Sequence, residues 1–227
     1  MKRSAAARAL LALLAVLAGA GCAQAPAAGP VVLAPEAVRA PESPLPPLRD
    51  SASGARIEGC DAFVQALRSG QVSDAMMESA PFQAYVGCLV PTLLALAAPP
   101  GSGDLNASDP GERIYLELDL ATVPSSLAPR RPAERYRLSD FGFASLKISP
   151  LAIDASDAGF AYRFEVLARG DFIGCGGSQW LVRFSDRALN GGSYARTSLL
   201  VIAPAAAGLG LVASDATLLL RAPAPRC

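Results

Sequence analysis

The sequence predicts an α+β protein: a short disulfide-linked helical pair, then a mainly antiparallel β-rich domain curled into a sandwich or small barrel. Three observations carry that expectation. Apolar residues recur at helical spacing between residues 57 and 98, the period shortens to two from residue 113 onward, and turn-forming clusters separate the later runs. At 227 residues, 52% of them apolar, the chain has enough material for one moderate core or two small ones.

The helical pair, residues 55–100, comes first. In "IEGCDAFVQALRSG" the residues Cys60, Phe63, Val64 and Leu67 form one stripe, which Gly70 stops. A second stripe, Phe82, Tyr85, Val86 and Leu89, follows Ser79, with Pro81 suited to a first turn and Pro91 set to kink or end the helix. Cys60 and Cys88 fall on or beside the apolar faces, so they can meet across an antiparallel pair.

The β-rich domain, residues 112–227, follows the loop "PPGSGDLNASDPGE". In "RIYLELDL" the residues Ile114, Leu116, Leu118 and Leu120 alternate with Tyr115, Glu117 and Asp119, which predicts a strand. "GFAYRFEVLA" repeats the alternation, with Phe160, Tyr162, Phe164 and Val166 opposite Arg163 and Glu165. "QWLVRF", "YARTSLLVIA" and "ATLLLRA" complete the set, and "SLKISPLAI" adds a strand despite Pro150. "DASDAG" and "LNGG" suit hairpin turns, because glycine and asparagine tolerate positive φ.

Upstream, "MKRSAAARALLALLAVLAGAGC" has a basic start at Lys2, Arg3 and Arg8, an apolar run from Ala9 to Ala20, and small residues before Cys22. That run is short for a membrane span. Residues 1–22 resemble the lipobox signal peptide of bacterial lipoproteins. The resemblance implies that residues 1–21 are removed and that Cys22 is acylated, with palmitate among the lipids of the family. Ala23, where an aspartate would favour the inner membrane, implies an outer-membrane anchor facing the periplasm. An ordinary signal peptide cut nearby would instead leave Cys22 free. Residues 22–54 read as anchor and tether: eight alanines, seven prolines and no aromatic residue in 23–54 predict an extended chain without a core of its own.

The chemistry begins with an absence: the chain contains no histidine. Ser-His-Asp and Cys-His mechanisms and the common zinc sites are therefore excluded. Zero net charge gives no reason to expect nucleic acid. "DLNASDPGE" gathers oxygen donors like a calcium loop, but Asp109 stands where that loop requires glycine and Tyr115 where it requires glutamate. No metal or cofactor is expected.

"DFIGCGGSQW" looks most like an active site, yet Cys60, Cys88, Cys175 and Cys227 form an even set in an oxidising compartment. Three pairings are open; Cys60–Cys88 and Cys175–Cys227 are the favoured ones, with Cys175 a staple rather than a nucleophile. Arg130, Arg131, Arg135 and Arg137 in "PRRPAERYR" offer guanidinium forks to an anion or an acidic partner. The reading that follows is a non-catalytic envelope lipoprotein binding a protein or a cell-envelope polymer. The alternative is a periplasmic hydrolase using two carboxylates, with Glu117, Asp119 and Glu165 as candidates.

Overall fold

The computed structural model describes residues 29–41, 44–50, 53–77, 79–103, 105, 109–127, 136–206 and 210–221. In chain order these carry strands β1 (Val31–Val32), β2 (Leu48–Arg49) and β3 (Arg56–Ile57), then helices α1 (Gly59–Arg68), α2 (Asp74–Met77), α3 (Ala80–Tyr85), α4 (Leu89–Leu96) and α5 (Pro110–Glu117). Strands β4 (Ser145–Ser149), β5 (Ala152–Ser156), β6 (Phe160–Gly170), β7 (Gln179–Ala188), β8 (Ala195–Pro204) and β9 (Leu211–Asp215) follow, and helix α6 (Leu218–Arg221) closes the described chain. Among the described residues no helix is long and apolar enough to cross a membrane.

The α+β expectation holds. Strands β4 to β9 pair in sequence order as an antiparallel meander, and β1 joins the sheet beside β6. The predicted turns form: Asp157 Oδ1 accepts from the N–H groups of Gly159 and Phe160, and Gly191 takes a φ of 72° between β7 and β8. These seven strands form one layer, apart from the small β2–β3 ribbon. Where a sandwich would have its second layer, helices lie on both faces.

The β6–β7 ladder explains why both faces need a cover. Val166 pairs with Val182 and Ala168 with Leu181, so Leu167 is the extra residue of a bulge. On one face Tyr162, Phe164, Val166, Trp180, Val182 and Phe184 are buried with Ile114 of α5 and Leu118 just after it. On the other, Leu167, Leu181, Leu199 and Val201 are buried with Phe63, Leu67, Tyr85 and Leu89 of the helices.

The helical pair forms as its stripes predict. Ser79 caps α3, accepting from Phe82 N, with Pro81 in the first turn. Pro91 does not end the run. The chain instead tightens into a 3₁₀ turn over Val86–Cys88 and restarts as α4, so that proline sits in a first turn where no N–H bond is lost. Cys60 and Cys88 are joined, with Cα atoms 5.1 Å apart.

Three strand expectations need correction. "RIYLELDL" begins as helix α5: Asp109 caps it by accepting from Glu112 N, Pro110 opens it, and Arg113 pairs with Glu117 one turn on. Ile114 and Leu118 satisfy a period of two and a helical i, i+4 pair equally. The arbiter is Leu116, 43% exposed where a strand would bury it. Gly111 lets the helix start against the β4–β5 turn, since a Cβ there would stand 2.1 Å from the Ser149 carbonyl oxygen. "SLKISPLAI" is two strands, with Pro150 in the turn between them. "ATLLLRA" is not a strand: β9 lies just before it, Asp215 Oδ1 accepts from Thr217 N, and α6 follows.

The tether expected over 22–54 is also corrected where the chain is described. Leu33 and Ala34 both donate to the carbonyl of Leu167, satisfying the bulge, and Arg183 donates to the carbonyl of Ala37. Leu48 is buried, and β2 pairs with β3. The prolines taken as spacers also restrict the unfolded chain, which lowers the entropy lost on docking.

Replacing Cys60 and Cys88 by serine removes a closed loop with a sequence separation of 28. The expected loss is about 3.6 kcal/mol by the chain-entropy relation, read as a lower denaturant midpoint with a steeper slope, because the unfolded chain is less constrained without the crosslink.

Candidate functional site

The stretch "DFIGCGGSQW" is built as a scaffold. The Asp171 carboxylate, 5% exposed, accepts from the N–H groups of Gly174 at 2.8 Å, Cys175 at 3.1 Å and Gly176 at 2.6 Å. Positive φ at Gly174 and Gly176, 79° and 70°, wraps the backbone around that carboxylate. Gln179 Oε1 accepts from Phe172 N and closes the loop onto β7. Cys175 is disulfide-bonded. The proposed partner, Cys227, lies outside the described residues, as do Cys22, Arg130, Arg131 and Arg135. Arg137 is exposed, and its charge reaches Glu117.

The carboxylates singled out from the sequence do not converge on a cleft. Glu117 takes a two-point hydrogen bond from Arg113, which holds its carboxyl below the ordinary glutamate value; burial works against this and the charge of Arg113 adds to it. Asp119 accepts from Ala121 N and caps a 3₁₀ turn. Glu165 lies between Arg163 and Arg183. Arg163 also takes Asp154 at 2.7 Å, the main cause of its raised pKa. Those four groups share a polar sheet face with Lys147 and Arg187, and on it Asp154, Arg163, Lys147 and Arg187 line a shallow depression of about 570 Å³.

A different cluster, not singled out from the sequence, sits at the far end of the β6–β7–β8 ladder. Asp186 is fully buried, directly opposite Tyr162 on β6 and Arg196 on β8. Its carboxylate accepts from Ser126 N at 2.5 Å, Ser126 Oγ at 3.0 Å and Tyr194 Oη at 3.2 Å. Burial of the phenol, with the negative charge of Asp186 beside it, pushes the Tyr194 pKa up to about 12. The residue as a whole is 41% exposed. Phe160 meets it edge-on at 6.0 Å, and a run of ring contacts continues through Tyr162 to Phe143 and Phe141.

Tyr194, Phe160, Arg196, Pro124, Ser125 and Ser126 line a depression of about 820 Å³, and a neighbouring one of about 370 Å³ shares Tyr194 and Arg196. Among the described residues no acid lines either of them. Among the described residues no group of His, Cys, Asp and Glu is arranged to hold a metal ion. Chemically, the arrangement presents a fixed aromatic face beside a guanidinium. The adjacency of "FAYRFE" and "SYAR" across the sheet was the available signal, and it needs the β6–β7–β8 register to become visible.

No protein-family model, curated protein or solved structure matches the chain.

Two outcomes are expected. Asp171→Ala leaves three N–H groups without their acceptor and lowers stability by at least about 2 kcal/mol in chemical denaturation. In a phenolate absorbance titration, one tyrosine ionises near pH 12, and Asp186→Asn brings it down toward 10. Because the folded value stands above the ordinary 10, the native state holds that proton more tightly. The associated stability is complete below pH 10 and is lost as pH rises through about 12.

Proposed function

We propose that the chain is a non-catalytic outer-membrane lipoprotein, anchored through Cys22 and facing the periplasm, that binds a protein or cell-envelope polymer at the Tyr194–Arg196 depression. One observation carries the reading: the site joins an exposed tyrosine, fixed by a buried carboxylate, to an arginine, with no acid among the described residues of its lining. Exposed aromatic side chains held in one rotamer bind at little entropic cost. Asp154, Asp171 and Asp215, each the single acid among the described residues of its own depression, already accept hydrogen bonds from the protein.

Anchoring at Cys22 also sets the distance from the bilayer. Pro30 already lies against Gly170 of β6. Eight Cα steps from Cys22 to Pro30 span at most about 28 Å, so the body is expected to work close to the membrane surface.

The test is unreduced peptide mass spectrometry on protein extracted from membranes, together with fractionation of a Cys22→Ser variant. An acylated Cys22 peptide, and release of the variant into the soluble fraction, are the expected results. An unmodified Cys22 with unchanged fractionation would remove the anchor from the proposal.

A further inference from the structure

The two depressions that share Tyr194 and Arg196 allow the ligand class to be narrowed; the inference rests on the non-catalytic binding reading above. We infer that the site takes an acidic saccharide chain, one pyranose ring stacked on Tyr194 and a carboxylate on Arg196.

The aromatic part comes first. Tyr194 is exposed, yet its hydroxyl is tied to buried Asp186 and its ring makes a T-shaped contact with Phe160 at an interplanar angle of 72°. A ring fixed this way offers its electron-rich face to the C–H groups of a sugar without ordering a side chain on binding. Depressions of about 820 Å³ and about 370 Å³ meet at that ring, so the surface is elongated and suits several linked units.

The charge comes second. Among the described residues Arg196 is the one charged residue lining either depression. It faces Asp186 across the β7–β8 register, but no ion pair forms, and among the described residues its single hydrogen bond runs from Nε to Ser198 Oγ at 3.3 Å. The remaining N–H groups of the guanidinium are left for a carboxylate. Ser125, in the wall of the larger depression, has a buried hydroxyl without a partner, which a turn about χ1 can offer to the ligand.

A peptide fits less well. Extended peptides bind by adding to an open strand edge. At the site, the outer edge of β8 is closed by Gln83, whose Oε1 accepts from Thr197 N at 2.5 Å.

The test is isothermal titration of the full chain in detergent with a galacturonic acid hexamer and with its methyl ester. The acid should bind, and the ester at least about tenfold more weakly. Arg196→Gln should erase that preference while leaving ester binding unchanged. Tyr194→Ala should abolish binding of both, and Tyr194→Phe, which keeps the ring but loses the bond to Asp186, should weaken both a few-fold. Circular dichroism melts of each variant separate loss of ligand from loss of fold. No binding of either probe at millimolar concentration, or wild-type binding by both Tyr194→Ala and Arg196→Gln, overturns the inference. Bound sugar recovered shortened would instead overturn the non-catalytic reading and leave the ligand class standing.

Discussion

Strands β6, β7 and β8 are apolar on both faces over half their length, and the rest of the molecule is organised around covering them. A sheet with one wet face would need only α5 and the segments that follow it. The bulge at Leu167 adds an apolar residue aimed the other way, and Leu181, Leu199 and Val201 complete a second apolar surface. The disulfide-linked helices are the lid for that surface. Phe63, Phe82 and Tyr85 pack ring against ring within it, at 5.4 and 5.0 Å.

The bulge also explains the course of the N-terminal segment. A bulged residue leaves its carbonyl without a ladder partner, and two backbone N–H groups from Leu33 and Ala34 supply it. β1 then continues the lane that β5 vacates, pairing with Ala168 and Arg169. A proline-rich stretch thereby becomes part of the sheet.

Two buried aspartates do parallel work at opposite ends of β7. Asp171 gathers three backbone N–H groups and holds the glycine-rich loop; Asp186 gathers a loop serine and an exposed tyrosine. A buried carboxylate is unfavourable unless its oxygens are satisfied. Each therefore fixes the segments that satisfy it, and the second fixes an aromatic ring in the open. The proposed binding surface is a by-product of that requirement: rigidity comes from below, exposure from above.

Much was already determined by the sequence alone. Spacing and capping placed α1 and α3, alternation placed β6 to β8, and turn chemistry placed the two hairpins, because all three are local properties read over a few residues. The pairing of Cys60 with Cys88 followed from the faces those helices bury. Tertiary structure decided what local pattern leaves degenerate. Ile114 and Leu118 suit either period, so the cap at Asp109 and the contact of Gly111 with the β4–β5 turn made α5 a helix. Aromatic residues make up only 6% of the chain, yet strand register brings Phe160 and Tyr162 of β6 beside Tyr194, which stands just before β8. Which side chains share a site depends on contacts between residues far apart in the chain, and those exist only once the sheet has closed its register.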